Sequence, residues 1–228
     1  MCVRSRKFEH NLPRIAYLVA MTRSVLAMAH DERADLADLL ETLSPEQWEH
    51  PSLCEGWTVR DVVAHMISYE EHGPRDLVRR LAATRFRPWR LNEAALADYA
   101  DLGPDELVRF LRNHLDPQGS TAALGGRVGL VDALIHHQDI RRPLGLARTV
   151  PAERLRVALP FAVTALPLRG FWKARGVRLV TTDLGWSYGR GPEAAGPGEA
   201  VLMTMAGRRG IARELSGPGA TILTDRLG

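Results

Sequence analysis

The stretch GRVGLVDALIHHQDIRRPLG, residues 126–145, predicts a buried helix that carries an unusual amount of charge. Its first half is mostly apolar, and Pro143 and Gly145 are typical signals for the end of a helix. Two imidazoles and two carboxylates nevertheless occur between Asp132 and Asp139. Burying such groups is unfavourable unless a partner or a ligand satisfies them. The stretch therefore predicts both a packing face and a candidate site.

Three earlier segments have the same amphipathic pattern, which favours a four-helix bundle. Leu36 and Leu40 belong to a run of leucines at helical spacing. Thr58 and Asp61 are three residues apart at the start of an apolar run, a spacing typical of a capping box. Pro104 begins a third amphipathic segment. With the stretch at 126–145, these segments predict four helices, each with one apolar stripe.

The sequence pattern changes after Gly145, where short strands and loops replace long helices. The predicted elements are a helix over 150–176 bent near Pro160 and Pro167, strands over 177–183 and 186–189, a Gly- and Pro-rich loop over 189–198, a helix over 199–207 and a final strand over 220–225. The predicted fold class is therefore α+β, with an N-terminal four-helix bundle followed by a small α+β C-terminal domain.

The predicted domain boundaries lie near residues 28 and 147. Residues 1–27 combine basic residues with a short apolar run that superficially imitates a signal peptide, but Arg23 and Ser24 interrupt that run. We expect these residues to be a dispensable N-terminal extension, with Met21 or Met28 as alternative starts. Residues 28–146 are the predicted bundle, and residues 147–228 are the predicted C-terminal domain.

Composition and charge exclude several classes of protein. The net charge of +3 comes from scattered Lys and Arg residues and not from one basic stripe, so no nucleic-acid partner is expected. No apolar run approaches the roughly 20 residues of a membrane span, so no membrane association is expected. Cys2 and Cys54 are the only cysteines, which is too few for a disulfide framework and favours the reducing cytoplasm.

The spacing of the polar residues on two of the predicted helices suits metal binding. Asp132 and His136 are four residues apart and share a helix face, with Asp139 three residues further on. His65, on the second predicted helix, has apolar neighbours and is a candidate partner. Bundles commonly build metal sites from inward-facing side chains on different helices. Two histidines and one carboxylate leave one coordination position open, as in catalytic zinc sites.

A structural explanation of the same residues stays open at this point. A histidine among apolar residues is more often a hydrogen-bonded core residue than a metal ligand. His137 points about 100° away from His136 on an ideal helix, so at most one of the two is expected to bind the same ion. Asp139 could form a local ion pair with Arg141 or Arg142.

Three segments resemble the mycothiol-dependent maleylpyruvate isomerase family. They are LETLSPEQWEHPSLCEGWTVRDVVAHM at 40–66, DALIHHQDIRRPLGL at 132–146, and the segment 175–210, which begins RGVRLVTTD and ends AGRRG. The resemblance covers the chain from about residue 28 to its end and is most specific over 44–66. It implies a DinB-like metal-binding four-helix bundle followed by a C-terminal domain with a fold like that of sterol carrier protein.

The resemblance also implies which residues form the site. The family's metal ligands correspond to His65, Asp132 and His136, although the family usually has Glu at the position of Asp132. The shorter carboxylate would bring the ion nearer to its helix, weaken its binding or abolish it. Asp139 is predicted to orient a ligand imidazole through its other nitrogen, with a structural contact at the helix end as the alternative.

The cofactor that the resemblance implies is a divalent metal, with Zn²⁺ the first choice, and the cosubstrate is mycothiol or a similar thiol. Because a coordinating thiol is deprotonated, neither cysteine needs to be the nucleophile. Arg208 and Asp139 are the predicted catalytic residues. Arg208 is expected to bind a substrate carboxylate. Arg90 and Trp57 are the predicted cofactor-binding residues. The less favoured arginines are Arg85, Arg87 and Arg209, and exposure at the surface is the alternative for every arginine in this group.

These expectations predict a metal- and thiol-dependent enzyme, either a cis–trans isomerase or an S-transferase, that acts on a small electrophile which carries a carboxylate. Two alternatives stay open. One is a non-catalytic protein with a decayed metal site that binds a small ligand or a partner, and the other is a hydrolase with metal-bound water as its nucleophile. The expected partners are the small substrate and the thiol, and the chain is expected to be a monomer or a homodimer.

Overall fold

The computed structural model describes residues 24–70, 73–83 and 88–228. Most of the predicted N-terminal extension lies outside these ranges, as do Arg85 and Arg87. Arg90 lies on a helix, but its side chain is also outside the described part. Within the described residues, no helix has both the length and the hydropathy needed to span a membrane.

Four helices of the N-terminal part form the predicted bundle. This part contains α1 (Val25–Leu40), α2 (Pro45–Trp48), α3 (Val59–Ser68), α4 (Pro74–Ala83), α5 (Pro88–Asp98), α6 (Pro104–Asn113) and α7 (Arg127–Arg141). Helices α1 and α3 each pack against both α6 and α7, so the four helices close a ring. The bundle is therefore confirmed, and α4 and α5 are additional helices that the sequence pattern did not predict.

The predicted capping box sets the start of α3. The Thr58 amide donates a hydrogen bond to Asp61 Oδ2 at 2.9 Å, and the Asp61 amide donates one to Thr58 Oγ1 at 3.2 Å. A cap of this kind contributes about 1 kcal/mol. The cap fixes the start of the helix at Val59. The side chains of Val62, Val63 and His65, which follow within two turns, are all buried.

A small sheet and several helices make up the C-terminal part. The elements are α8 (Ala152–Thr164), α9 (Gly170–Lys173), β1 (Arg178–Thr181), β2 (Ser187–Gly189), β3 (Glu193–Gly196), α10 (Gly198–Ala206), a 3₁₀ helix (Ile211–Glu214) and α11 (Pro218–Leu227). Strand β1 is central, with β2 antiparallel on one side and β3 parallel on the other. This arrangement confirms the predicted α+β class.

The prediction of a final strand over 220–225 is wrong, because these residues belong to α11. Gly217 has φ +92°, which is favourable for glycine, and Pro218 occupies the first turn, where a helix needs no amide donor. Ala220 and Leu223 are three residues apart and both buried, so the burial pattern is helical.

The prediction of a loop over 189–198 is wrong in its second half, which forms β3. The Arg178 amide donates to the carbonyl of Pro192 at 3.0 Å, and the Thr182 amide donates to that of Gly196 at 2.9 Å. Ala194, between them, is fully buried. Pairing with β1 therefore stabilises an extended conformation that the Gly and Pro residues do not favour on their own.

The bundle and the C-terminal part share an apolar core through α7. Leu130 and Leu134 of α7 belong to the same buried cluster as Leu159 and Leu202 of the C-terminal part. A second cluster lies inside the bundle. The predicted boundary near 147 therefore separates two units that pack closely, and the division into domains stays a prediction. Residues 24–27 contribute the cap and first turn of α1.

Candidate metal centre

Three of the predicted residues converge where α3 packs against α7. His65, Asp132 and His136 each offer a ligand atom, and these atoms all lie within 4.8 Å of one another. Asp132 and His136 are one turn apart on α7, and His136 Nε2 lies 3.5 Å from Asp132 Oδ1. The His65 ring meets that of His136 at a centroid distance of 5.1 Å.

Two atoms of this group are buried without a hydrogen-bond partner. Among the described residues, nothing bonds to His65 Nδ1 or to Asp132 Oδ2. Leaving buried polar atoms unsatisfied is costly, and a cation bound between these two side chains would satisfy both atoms. Zn²⁺ bonds of 2.0–2.2 Å place tetrahedral ligand atoms roughly 3.4 Å apart, close to the separation of His136 Nε2 and Asp132 Oδ1. The donor set therefore fits a divalent cation such as Zn²⁺.

The two imidazoles of this group differ in protonation. Burial, reinforced by the nearby His136, lowers the pKa of His65 to about 3, so this ring is neutral and ready to bind a metal. Burial also disfavours charge on His136, but Asp132 and Asp139 outweigh it and raise its pKa well above the ordinary value. Because a ligand imidazole must be neutral, metal binding is expected to release a proton from His136.

Asp139 connects His136 to an arginine of the C-terminal part. The Asp139 side chain is fully buried, and its Oδ2 accepts a hydrogen bond from His136 Nδ1 at 2.9 Å. Arg208 donates from Nε to Oδ1 and from Nη2 to Oδ2, both at 2.6 Å. Burial alone would raise the pKa of Asp139, but the bonds from His136 and Arg208 lower it to about 2. Asp139 is therefore a carboxylate that orients His136 and holds Arg208.

The end of α10 places Arg208 beside the bundle. Gly207 ends the helix with φ +83°, and the Arg208 amide donates to the carbonyl of Met203 at 3.1 Å. A Cβ at Gly207 would lie 2.7 Å from Lys173 Nζ, so a larger residue would also have to displace the end of that side chain. The Lys173 ammonium donates to the carbonyl of Ala206 at 3.0 Å and fixes the last turn.

Aromatic rings surround His65. The Trp57 ring lies 4.8 Å from the His65 ring, and the Tyr69 ring meets it edge-on at 5.1 Å. Trp57 belongs to the loop before α3, and Tyr69 follows the last residue of that helix. These rings fix the orientation of His65 and exclude water from much of its surface.

Comparison with known proteins supports this fold and the resemblance of the bundle. Residues 29–117 match the family model described as "Mycothiol maleylpyruvate isomerase N-terminal domain". The match confirms the resemblance inferred from the sequence, and the matched segment contains His65.

Two solved structures share the fold of the chain. One is a crystal structure of the mycothiol-dependent maleylpyruvate isomerase with a histidine-to-alanine substitution, which is 18% identical with a TM-score of 0.57. The other is a crystal structure of the mycothiol-dependent maleylpyruvate isomerase, which is 15% identical with a TM-score of 0.52. Each match covers 86% of this chain and 92% of the other. A comparison with curated proteins finds no match.

Cys54 lies beside the centre, a position that the sequence analysis did not predict. Its thiol donates to Asp139 Oδ2 at 3.2 Å, and its Sγ lies 3.4 Å from Arg208 Nη2 and 3.8 Å from His136 Nδ1. The Leu53 amide donates to the backbone carbonyl of Asp139 at 3.0 Å, which anchors this loop to α7. Cys54 and Asp139 are 85 residues apart in the sequence, so local spacing could not predict their contact.

Two other residues considered in the sequence lie away from the convergence. His137 is buried on another side of α7, where its Nδ1 lies 2.9 Å from Glu32 Oε1. Arg209 is 72% exposed and pairs with Glu55 at 3.1 Å. Tyr69 was missed, although its position four residues after His65 was a usable signal.

Proposed function

We propose that the protein is a metal-dependent enzyme that uses mycothiol or a similar low-molecular-weight thiol to attack a small electrophilic substrate bearing a carboxylate. The reaction would be a cis–trans isomerisation like that of maleylpyruvate isomerase, or an S-transfer. One observation carries the proposal. His65, Asp132 and His136 come together where α3 packs against α7, and two of their buried polar atoms have no hydrogen-bond partner among the described residues.

His65, Asp132 and His136 would hold the cation, with Zn²⁺ the first choice because the set combines two imidazoles and one carboxylate. A bound cation of this kind keeps a coordinating thiol deprotonated at neutral pH. Asp139 holds the His136 proton at Nδ1, which leaves Nε2 directed towards Asp132. The chain thus keeps one ligand in the required tautomer.

Arg208 is the proposed binding residue for the substrate carboxylate. Its Nε and Nη2 are occupied by Asp139, whereas its Nη1 forms no hydrogen bond in the part of the chain that the structure describes. The Arg208 side chain is about one-fifth exposed (19%), which supports access of a ligand to the guanidinium group. Trp57 would form a wall of the cosubstrate site, and a role for Arg90 in cosubstrate binding stays a prediction.

The buried arrangement supports an intact site over a decayed one. In a decayed site, unpaired buried polar atoms would be selected against because each destabilises the fold by about 1–3 kcal/mol. Here His65 Nδ1 and Asp132 Oδ2 are retained, and Asp139 is fully engaged by His136 and Arg208. The cytoplasmic location, the absence of a nucleic-acid or membrane partner, and a monomeric or homodimeric state stay predictions.

The test combines metal removal with a thiol requirement. The purified protein is assayed with mycothiol against maleylpyruvate and a panel of unsaturated acids and epoxides, before and after removal and return of Zn²⁺. We expect turnover that needs both thiol and metal. Turnover without thiol would indicate the hydrolase, and a metal-free protein without turnover on any substrate would indicate a binding protein.

A further inference from the structure

Tyr69 lies beside the candidate centre but has no part in the metal set. It follows α3 directly, one helical turn after His65, so both side chains project from the same face. The two rings meet edge-on, at an interplanar angle of 84°. Tyr69 is only partly buried, whereas the His65 side chain beside it is buried.

The phenol oxygen has one hydrogen-bond partner among the described residues. This partner is Asn92 Oδ1 of α5, at 3.2 Å, which is a long bond for a hydroxyl donor. The Tyr69 phenol is also near enough to Asp132 and His136 to interact electrostatically with both of these candidate ligands. A tyrosine phenol carries one hydrogen that it can donate at neutral pH.

We propose that Tyr69 is a catalytic residue that donates its phenol hydrogen bond to the substrate carbonyl oxygen conjugated with the reacting double bond. The inference rests on the proposed function and adds a named oxyanion donor to it. Asn92 holds the phenol in place between turnovers, and the long bond between them is readily exchanged for a shorter, charge-assisted bond to an enolate oxygen.

The donor acts where negative charge develops. The thiolate sulfur forms a bond to one alkene carbon, and the alkene π electrons move to give an enolate with its charge on the carbonyl oxygen. Rotation about the former double bond follows, and the enolate electrons then re-form that bond and expel the thiolate. No electrons are gained or lost, and in an S-transfer the enolate carbon takes up a proton instead. The Tyr69 hydroxyl stabilises the charged oxygen more than the neutral carbonyl, which lowers the barrier.

The test is Tyr69→Phe, which keeps the ring against His65 and removes only the hydroxyl. Loss of one such donor lowers kcat by on the order of 100-fold. We expect this loss with KM changed only a few-fold and with metal content equal to that of the wild type. Tyr188→Phe is the matched control, because Tyr188 lies on β2 and stacks on Trp186, and it should leave kcat unchanged.

Three outcomes would overturn the inference. A kcat for Tyr69→Phe within about twofold of the wild type, with a lower Tm, would identify the phenol as a structural bridge to α5. A parallel loss of metal and activity would mean that Tyr69 acts through the ligands. A wild-type protein with no thiol-dependent turnover would overturn the proposed function and the role of Tyr69 together, which distinguishes it from the other two results.

Discussion

Replacing Asp139 with Asn tests the connection between the bundle and the C-terminal part. The substitution keeps the shape of the side chain and removes its charge. Asp139 accepts hydrogen bonds from His136 Nδ1 at 2.9 Å and from Arg208 Nε and Nη2 at 2.6 Å each, and it is fully buried. Asn can accept at only one of its two positions, so at least one of the Arg208 donors loses its partner.

The expected destabilisation is about 3 kcal/mol. Breaking a buried ion pair costs about 3–5 kcal/mol. The lower end applies because the Arg208 side chain is 19% exposed and water can partly solvate the freed guanidinium. For a chain of this size, about 2–4 °C of Tm accompanies each kcal/mol, so Tm should fall by about 6–12 °C. Metal affinity should also fall, by about 10–100-fold, because His136 loses the group that orients it.

The assay is thermal unfolding of the metal-free proteins by circular dichroism, followed by a Zn²⁺ titration against a chelating dye. Metal-free protein separates fold stability from the stabilisation that a bound ion adds. Asp225→Asn, at an exposed position on α11, is the matched control and should change neither quantity. A Tm for Asp139→Asn within about 2 °C of the wild type, together with unchanged metal affinity, would refute the reasoning.

Three further predictions concern neighbouring contacts. For Glu32→Gln, we expect a loss of stability at neutral pH that fades as the pH falls below 4.5. The reason is that contacts with Arg148 outweigh burial and lower the pKa of Glu32 in the folded protein. Urea unfolding across pH 3–7 measures this loss, and a difference that does not depend on pH would contradict the prediction. Arg142→Ala should cost about 1 kcal/mol in urea unfolding, because it removes partly exposed bonds to Glu199 that tie α7 to α10, with metal content unchanged; no loss of stability would contradict it. Asp132→Glu should keep or tighten Zn²⁺ binding in a dye competition, and a sharp loss would mean that the carboxylate is not a ligand.

The helices of the bundle were predictable because their signals are local. Thr58 and Asp61 form the reciprocal cap that their spacing predicted, and Pro104 begins its helix as expected. The C-terminal part was harder, since tertiary contacts decide its structure. Ala194 is extended because β3 pairs with β1, and Pro218 was a helix signal that the β-branched residues after it concealed.

The candidate site was predictable only in part. The spacing of Asp132 and His136 on one helix face follows from the helical repeat, and the structure brings His65 to them. The contact between Arg208 and Asp139 joins residues 69 positions apart, and it depends on how α10 packs near α7. The approach of Cys54 to Asp139 depends in the same way on tertiary packing. Such contacts have no local sequence signal.

The metal content of purified variants tests the central claim most directly. We expect about one equivalent of divalent metal, measured by inductively coupled plasma mass spectrometry, in the wild type and in His137→Ala, whose side chain lies on another side of α7. His65→Ala and His136→Ala should lose the metal, because each removes one of three ligands. Full metal content in both of these variants, or an equal loss in His137→Ala, would contradict the account.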